Sequence, residues 1–262
     1  MLNYNLKMSL FDLNNKSILI TGSSRGIGKA IAYQSALMGA NVIISSRKID
    51  ACKETAEEIN KSIGKEVAFP IECNIGNEDQ LQNLVNASLE TLGSIDTLVC
   101  NAATNTYMGS MLDMSNEQFD KVMHNNIRSN QILCNLCLPH MIEKEAGSII
   151  IVSSIAAIKG SSILGAYNIS KAADVMIVKN IAAEFGHKNI RANSIAPGLI
   201  KTDFAKALWE NPEILESVLG TTPMQRIGEP DEIAGVAVML ASNAGSYING
   251  QTIVVDGGTT IV

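Results

Sequence analysis

Seven short apolar segments alternate with longer helical patterns, and this alternation constrains the fold more than any other feature. The apolar segments are rich in β-branched residues and nearly continuous, as strands covered on both faces should be. They span residues 17–21, 41–45, 66–71, 95–100, 147–153, 190–195 and 252–256. The helical patterns span residues 26–38, 50–62, 78–91, 116–140, 166–185 and 230–241. The alternation predicts right-handed crossovers and an α/β fold with a doubly wound parallel sheet.

The sequence predicts a single domain. Hydrophobic residues make up 46% of the 262 residues, which is enough for a sizeable core, and no Ser/Pro-rich linker divides the chain. We expect residues 1–12 to form an N-terminal extension and residues 13–262 to form the domain. Residues 203–222 interrupt the alternation before the last strand with an amphipathic pattern. This segment is either an ordinary pair of surface helices or a mobile substrate lid, and the sequence favours the two interpretations equally.

Charge and hydropathy argue against several classes of protein. The net charge of −6 gives no general attraction to nucleic acid or to an anionic membrane surface. No apolar run approaches the roughly 20 residues that span a bilayer. The first 16 residues are too polar for a secretory signal, and the C-terminus carries no peroxisomal address. We therefore expect a cytoplasmic protein.

The cysteines do not predict a disulfide framework, because their number is five and the chain is large. Cys134, Cys137 and His140 are spaced at i, i+3 and i+6, roughly along one helical face, as a metal site might require. Their neighbours are leucine and isoleucine, and no fourth ligand lies near them in the sequence. Buried cysteine also packs as a small hydrophobic residue, so we expect helix packing and no metal.

A glycine-rich turn joins the first strand to the first helix. The sequence "TGSSRGIG" spaces Gly22, Gly26 and Gly28 as G-x-x-x-G-x-G. Glycine permits a tight turn and a close approach of the backbone to a diphosphate, and the helix that follows offers free N–H groups. An ordinary strand–helix turn is the alternative, but the strand before and the helix after favour a dinucleotide site.

Tyr167 and Lys171 lie one helical turn apart in "YNISK". A phenol has a pKa of about 10, and a cation on the same helical face favours its ionised form. The pair alone is weak evidence, because two polar residues on one helical face occur by chance.

Three motifs together resemble the short-chain dehydrogenase/reductase family. They are "TGSSRGIG", "YNISK" and, after the sixth strand, "APGLIKT", and the resemblance extends from about residue 13 to residue 258. It implies a Rossmann-like domain with seven parallel strands and helices on both faces, assembled as a homotetramer or a dimer. The long helical pattern 116–140 supports assembly, because it is apolar on more than one face.

The resemblance also implies four catalytic residues. Tyr167 transfers a proton to or from the substrate oxygen, and Lys171 lowers the pKa of the phenol and holds the nicotinamide ribose. Ser154 orients the substrate oxygen, with Ser153 as the less favoured neighbour. Asn126 kinks a long helix and helps to hold a relay water, and Asn125 is the alternative by register.

The coenzyme prediction depends on the end of the second strand. An NAD site places an acidic residue there, but this chain has Ser46 followed by Arg47, which can bind the 2′-phosphate of NADP(H). Arg25 could approach the same phosphate from the glycine turn. Asn74 replaces the aspartate that the family often places against adenine. The predicted cofactor residues are Gly22, Ser24, Arg25, Gly26, Ile27, Gly28, Ser46, Arg47, Asn74, Ile75, Asn101, Ala102, Tyr167, Lys171, Pro197, Gly198, Ile200 and Thr202.

Within the family, the chain most resembles the NADP(H)-dependent carbonyl and retinal reductases, through "VIISSRK", "NAAT" and "IVSSIAA". That resemblance implies an oxidoreductase that interconverts alcohols and carbonyl compounds bearing apolar groups. A 3-oxoacyl-carrier-protein reductase is the alternative among enzymes, since its motifs overlap with these. A catalytically silent, cofactor-binding regulator is the alternative from another class. That alternative would show a broken catalytic set, whereas all four residue types are present here.

Overall fold

Seven parallel strands form the centre of the structure, a computed structural model that describes residues 10–262. They are β1 (Ser17–Thr21), β2 (Asn41–Ser46), β3 (Ala68–Glu72), β4 (Thr97–Cys100), β5 (Gly147–Val152), β6 (Ile190–Pro197) and β7 (Thr252–Val255). The strand order is β3-β2-β1-β4-β5-β6-β7, and each neighbouring pair is parallel. The predicted doubly wound sheet is confirmed.

Helices cover both faces of this sheet. They are α1 (Gly26–Leu37), α2 (Ile49–Ile63), α3 (Glu78–Leu92), α4 (Asn116–Met123), α5 (Ser129–Lys144), α6 (Gly165–Phe185), α7 (Lys206–Trp209), α8 (Pro212–Gly220) and α9 (Pro230–Ala241). One apolar cluster packs α1, α2 and α9 against the sheet, and a second packs α3, α5 and α6 against the opposite face. The five inner strands are therefore buried on both sides, which explains their continuous apolar runs, whereas the edge strands β3 and β7 are only partly buried.

The chain order reverses between β1 and β4, and this reversal positions the site. From β1 the chain moves outward to β2 and β3, and from β4 it moves the other way to β5, β6 and β7. A crevice opens at such a point beyond the carboxyl ends of the strands, where parallel sheets bind their ligands. The glycine turn follows β1 at this crevice, and Asn101 follows β4.

The predicted single helix 116–140 is two helices joined by a wide π-helical turn, His124–Arg128. Asn126, fully buried in this turn, accepts a hydrogen bond from the Thr104 backbone N–H at 2.8 Å and donates to the Thr104 carbonyl at 2.9 Å. The extra residue in the turn directs this amide at the neighbouring loop. The turn lies where the family resemblance implies a kink at Asn126, although apolar periodicity alone does not detect the added residue.

The segment predicted as a surface helix pair or a lid contains a 3-10 turn, Asp203–Ala205, followed by α7 and α8. Trp209 ties it down, because its indole Nε1 donates to the Thr202 carbonyl at 2.9 Å. Closure of this segment over a substrate remains a prediction.

The predicted N-terminal extension falls mostly outside the described residues. The described part begins beside the domain, where the Leu10 carbonyl accepts a hydrogen bond from the Ala244 N–H at 3.0 Å. Leu13 is fully buried, as expected for the start of the domain. Within residues 10–262, no helix is both long and apolar enough to cross a membrane.

Candidate active site

The glycine turn leaves no space for side chains. Gly22 and Gly26 have positive φ angles of 66° and 56°, which L side chains rarely adopt. A Cβ on Gly28 would lie 2.4 Å from the Gly22 carbonyl oxygen. Among the described residues, no side chain caps the first turn of α1, so its N–H groups are available to an anion. This turn therefore fits a dinucleotide diphosphate.

Asn101 and Thr21 brace the glycine turn from the ends of β4 and β1. The Asn101 Nδ2 donates to the carbonyls of Thr21 at 2.9 Å and Gly22 at 3.1 Å. The Thr21 hydroxyl accepts the backbone N–H groups of Asn101 and Ala102, each at 3.1 Å. The Asn101 side chain thus holds the turn in shape, which is an indirect role among the predicted cofactor residues.

The residues predicted to bind a 2′-phosphate are not all together. Ser46 ends β2 with its hydroxyl 3.1 Å from the Cys52 thiol, and the exposed Arg47 follows it. Arg25 instead pairs with Asp203, with its Nη1 3.2 Å from the carboxylate oxygen. We expected Arg25 to face the phosphate opposite Arg47. In this structure the Asp203 carboxylate instead attracts the Arg25 guanidinium to the start of the 203–222 segment.

Asn74 and Ile75, which were predicted to lie against adenine, follow β3 at the edge of the crevice. The Asn74 side-chain oxygen accepts the Gly76 N–H at 3.1 Å, which forms a tight turn. Asn125, the alternative to Asn126, lies next to this turn, with its amide oxygen 2.8 Å from where a Gly76 Cβ would be. The two asparagines thus face different parts of the crevice.

The end of β6 and the residues after it close the crevice on the glycine-turn side. A Cβ on Gly198 would lie 2.8 Å from the Asp256 Cα, and one on Gly26 would lie 3.3 Å from the Thr202 Cγ2. Ile200 is buried. Of the predicted cofactor residues Pro197, Gly198, Ile200 and Thr202, the described contacts place Thr202 against the turn that fits the diphosphate, whereas Gly198 packs against Asp256.

Tyr167 and Lys171 occupy the first two turns of α6. The Lys171 Nζ lies 5.8 Å from the centroid of the Tyr167 ring, and the side chain is only 2% exposed. This ammonium donates to the Val152 carbonyl at 2.9 Å and to the Asp174 carboxylate at 3.0 Å. The lysine is thus held at the end of β5, directly beneath the phenol.

The two adjacent serines after β5 point in different directions. The Ser153 hydroxyl donates to the Lys171 backbone carbonyl at 2.8 Å, which ties the strand to α6. The Ser154 hydroxyl hydrogen-bonds with Tyr167 and also accepts the Ala156 N–H at 3.1 Å. Ser154 is therefore the serine on the Tyr167 side, as expected from alternation along the strand.

The pKa of Tyr167 reflects opposing influences. Burial raises it, whereas the Lys171 ammonium and the Ser154 hydroxyl lower it, and the pKa stays above its ordinary value. Burial lowers the pKa of Lys171, but the Asp174 carboxylate and Tyr167 more than offset this, so the ammonium is retained. The protein alone thus holds a protonated phenol beside a cation.

Asn126 lies on the same side of the sheet as the phenol but does not point at it. Besides its two bonds to Thr104, its amide donates to the Ser170 hydroxyl at 3.0 Å. The Ser170 hydroxyl in turn donates to the Tyr167 backbone carbonyl at 2.8 Å. The Asn126 side chain therefore positions the first turn of α6, and its predicted part in holding a relay water remains a prediction.

The structure does not bring Cys134, Cys137 and His140 together as ligands. Both cysteines are buried against the sheet, whereas His140 is exposed. Because an α-helix turns by 100° per residue, positions 134, 137 and 140 are spread too widely around α5 for their side chains to converge. In the part of the chain that the structure describes, no three His, Cys, Asp or Glu side chains form a cluster that could hold a metal ion.

Asp174 is the residue of this site that the sequence reading missed. It is fully buried on α6, three positions after Lys171, and its second carboxylate oxygen accepts from the Asn130 amide at 2.9 Å. An acidic residue on the buried face of α6, one helical turn from Lys171, was the signal that could have revealed it.

Comparison with known proteins finds one family over most of the chain. A family model described as "Enoyl-(Acyl carrier protein) reductase" matches residues 22–260. Bovine dehydrogenase/reductase SDR family member 4 is 40% identical over 247 residues, which are 94% of this chain and 88% of the relative.

Two solved structures share the fold over nearly the whole chain. A 7α-hydroxysteroid dehydrogenase complexed with NADH and 7-oxo glycochenodeoxycholic acid has a TM-score of 0.90 and 37% identity, with 95% of each chain covered. A gluconate 5-dehydrogenase from Burkholderia cenocepacia in complex with NADP and tartrate has a TM-score of 0.92 and 29% identity, with 97% of this chain and 99% of that one covered.

The fold and the site define a nicotinamide-dependent oxidoreductase, in which a dinucleotide crevice adjoins a half-buried tyrosine and a buried lysine. The chain belongs to the short-chain dehydrogenase/reductase family. The two neighbouring structures contain different coenzymes, so they leave the choice between NADH and NADPH to the residues of this chain.

Proposed function

We propose that this protein is an NADP(H)-dependent reductase that interconverts alcohols and ketones or aldehydes bearing apolar groups. The observation that carries the proposal is the meeting of the Tyr167 phenol, the Ser154 hydroxyl and the Lys171 ammonium beside the glycine turn. These three groups supply a proton donor, a donor that orients a carbonyl oxygen and a cation.

Each residue then has a defined part in carbonyl reduction. When bound, the nicotinamide supplies the hydride. Tyr167 donates a proton to the substrate oxygen, and Ser154 holds that oxygen by a hydrogen bond. Lys171 uses two of its three N–H donors on Val152 and Asp174, so one remains for a ribose hydroxyl. In alcohol oxidation the same residues act in reverse.

The surroundings of Tyr167 support an apolar substrate. The ring of Phe204, in the 203–222 segment, lies 6.0 Å from the Tyr167 ring, and 57% of its side chain is exposed. Met111 packs against Gly165, just before Tyr167, and it too is more than half exposed. Exposed apolar side chains beside a proton donor suit a substrate that carries hydrocarbon next to its carbonyl.

Replacement of the phenol tests the acid/base assignment. Tyr167→Phe should reduce kcat by about 10²–10⁴-fold and leave NADPH affinity within a few-fold, because the hydroxyl is removed and the ring remains. Tyr33→Phe is the matched control. Among the described residues, the Tyr33 hydroxyl hydrogen-bonds only with the Ser62 hydroxyl, 2.7 Å away. Retention of half the wild-type kcat in Tyr167→Phe would contradict the assignment.

The substrate panel for this test should contain ketones, aldehydes and one acetoacetyl thioester, each with NADPH. Turnover of several apolar carbonyl compounds is the expected result. Efficient turnover of the thioester alone would favour the 3-oxoacyl-carrier-protein reductase instead. A folded wild type that binds NADPH yet reduces none of the compounds would favour the regulator.

The coenzyme preference is tested at the end of β2. Ser46 and Arg47 can both donate to a 2′-phosphate, and two charge-assisted contacts of about 1.5–3 kcal/mol each imply a preference for NADPH of tens- to thousands-fold in kcat/KM. Ser46→Asp with Arg47→Ala should reverse the preference, because the new carboxylate repels the phosphate. Lys48→Ala, a neighbouring loss of charge, should preserve it. Equal wild-type efficiency with NADH and NADPH would refute the assignment.

A further inference from the structure

A buried carboxylate lies directly behind the Tyr167–Lys171 pair. Asp174 has no exposed surface and Lys171 only 2%, and the Lys171 Nζ lies 3.0 Å from the Asp174 Oδ2. The other carboxylate oxygen, Oδ1, accepts the Asn130 amide at 2.9 Å. Asn130 belongs to the first turn of α5, so the carboxylate is fixed from two helices.

Lys171 does not need the Asp174 carboxylate in order to be held in place. The Val152 carbonyl already accepts a hydrogen bond from the ammonium at 2.9 Å. A buried ion pair contributes little net stability, because removing two charges from water offsets most of their attraction. The carboxylate therefore calls for an explanation other than stability, and its position suggests an electrostatic one.

The Lys171 ammonium faces two groups that compete for its charge. Asp174 contacts it from one side, and the Tyr167 ring lies 5.8 Å away on the other. A cation stabilises a phenolate most when nothing else neutralises it. A carboxylate in contact with the cation reduces this effect and itself repels a second negative charge.

We propose that Asp174, anchored by Asn130, offsets the charge of the Lys171 ammonium and thereby keeps the Tyr167 phenol in the protonated form that carbonyl reduction uses. Asp174 is thus a positioning residue that acts through Lys171. The proposal rests on the proposed acid/base function of Tyr167. By keeping the phenol protonated, Asp174 favours its use as the proton donor in reduction.

The other titratable groups around Asp174 are thiols. Cys100 faces it from the end of β4, and Cys134 and Cys137 face Cys100 from α5. Hydrogen bonding with Cys134 and burial raise the pKa of Cys100, and burial raises that of Cys137. From β5 the facing group is the Val152 backbone carbonyl. The charge balance at neutral pH is therefore decided by Asp174, Lys171 and Tyr167.

Removal of the carboxylate charge should make the phenol easier to ionise. In Asp174→Asn, the ammonium has lost its counter-ion and gains from pairing with the phenolate instead. A charge of this kind at close range shifts a neighbouring pKa by about one unit or more. We therefore expect the ionisation midpoint of Tyr167 to fall by about one pH unit.

The experiment is an ultraviolet titration of phenolate on the full chain with NADP⁺ bound. The chain has five tyrosines, so the difference between each protein and its Tyr167→Phe counterpart isolates Tyr167. The comparison is wild type against Asp174→Asn. Because this readout needs no turnover, it stands even when no carbonyl compound is reduced, and a failure of the proposed function is seen separately in the substrate panel.

The matched control is Glu184→Gln, which removes the same charge from an exposed position on the same helix. Glu184 lies ten residues beyond Asp174 along α6, which corresponds to about 15 Å. Solvent and salt should therefore keep the ionisation midpoint of Tyr167 within about 0.2 unit of wild type. If Asp174→Asn does not fold, Asp174→Ser leaves room for a water beside the ammonium and should show the same fall. An unchanged or raised midpoint in the folded variant would overturn the proposal, whatever its effect on kcat or KM.

Discussion

Gly28 offers a quantitative test of the glycine turn. A Cβ at this position would lie 2.4 Å from the Gly22 carbonyl oxygen and 2.5 Å from the Asn101 Nδ2, about 1 Å inside normal contact. In Gly28→Ala, the glycine turn and the Asn101 side chain that braces it must therefore move apart. Overpacking costs about 1–3 kcal/mol, and loss of the 3.1 Å Asn101–Gly22 hydrogen bond costs about 1 kcal/mol more. Alanine returns about 1 kcal/mol through its higher helix propensity, so the net destabilisation is about 1–3 kcal/mol.

The matched control is Gly235→Ala, in the interior of α9. A Cβ there meets nothing within 4 Å, so only the helix propensity acts, and the variant should be more stable than wild type by about 0.5–1 kcal/mol. Chemical denaturation measures both changes, and quenching or enhancement of fluorescence on NADPH titration measures affinity. Gly28→Ala should also bind NADPH at least about tenfold more weakly. A displaced turn that costs about 1.4 kcal/mol of binding free energy weakens the affinity by a factor of ten. A Gly28→Ala variant that is stabilised as Gly235→Ala is, with unchanged NADPH affinity, would refute the close-contact argument.

Two further predictions concern stability and assembly. Burial raises the pKa of Asp96, but hydrogen bonds from the Lys144 ammonium and the Ser17 N–H outweigh this and hold it below its ordinary value. The carboxylate therefore stabilises the fold above its unfolded-state pKa, and this contribution is lost as the pH falls through the folded-state pKa. Asp96→Asn should lower the unfolding free energy by about 1–3 kcal/mol at pH 7, and equal losses at pH 7 and at acidic pH would contradict the sign. We also expect a homo-oligomer, since Ile169 and Met176 leave an exposed apolar face on α6; sedimentation at micromolar concentration should find a tetramer or a dimer, and monomers alone would disprove this.

Features that depend on local pattern could be predicted from the sequence. The apolar runs predicted the seven strands to within two residues at every end, because the inner strands are buried on both faces and are therefore mostly apolar. Tyr167 and Lys171 were predicted as a pair because four residues make one helical turn. Alternation along β5 favoured Ser154 over Ser153 as the serine beside Tyr167, and Ser154 is the one that hydrogen-bonds with Tyr167.

Features that depend on contacts between distant segments could not be predicted in this way. The pairing of Arg25 with Asp203 joins residues 178 positions apart, and no spacing rule relates them. Asn130 and Asp174 meet because two helices pack side by side, which requires the helix register to be known. That register depends on the π-helical turn, which adds a residue without changing the apolar pattern.

The π-helical turn has a consequence for how this chain can vary over evolutionary time. Deleting one residue between Val122 and Asn130 would restore an unbroken α-helix and leave α5 in nearly the same orientation, because five π-helical residues and four α-helical residues turn the chain by nearly the same angle. Asn130 would still face Asp174, but the wide turn that brings the Asn126 amide to Thr104 would be lost. Substitutions in this stretch act one side chain at a time, whereas a change in its length removes or displaces the turn itself. Insertions and deletions should therefore be excluded here even where individual residues are free to drift.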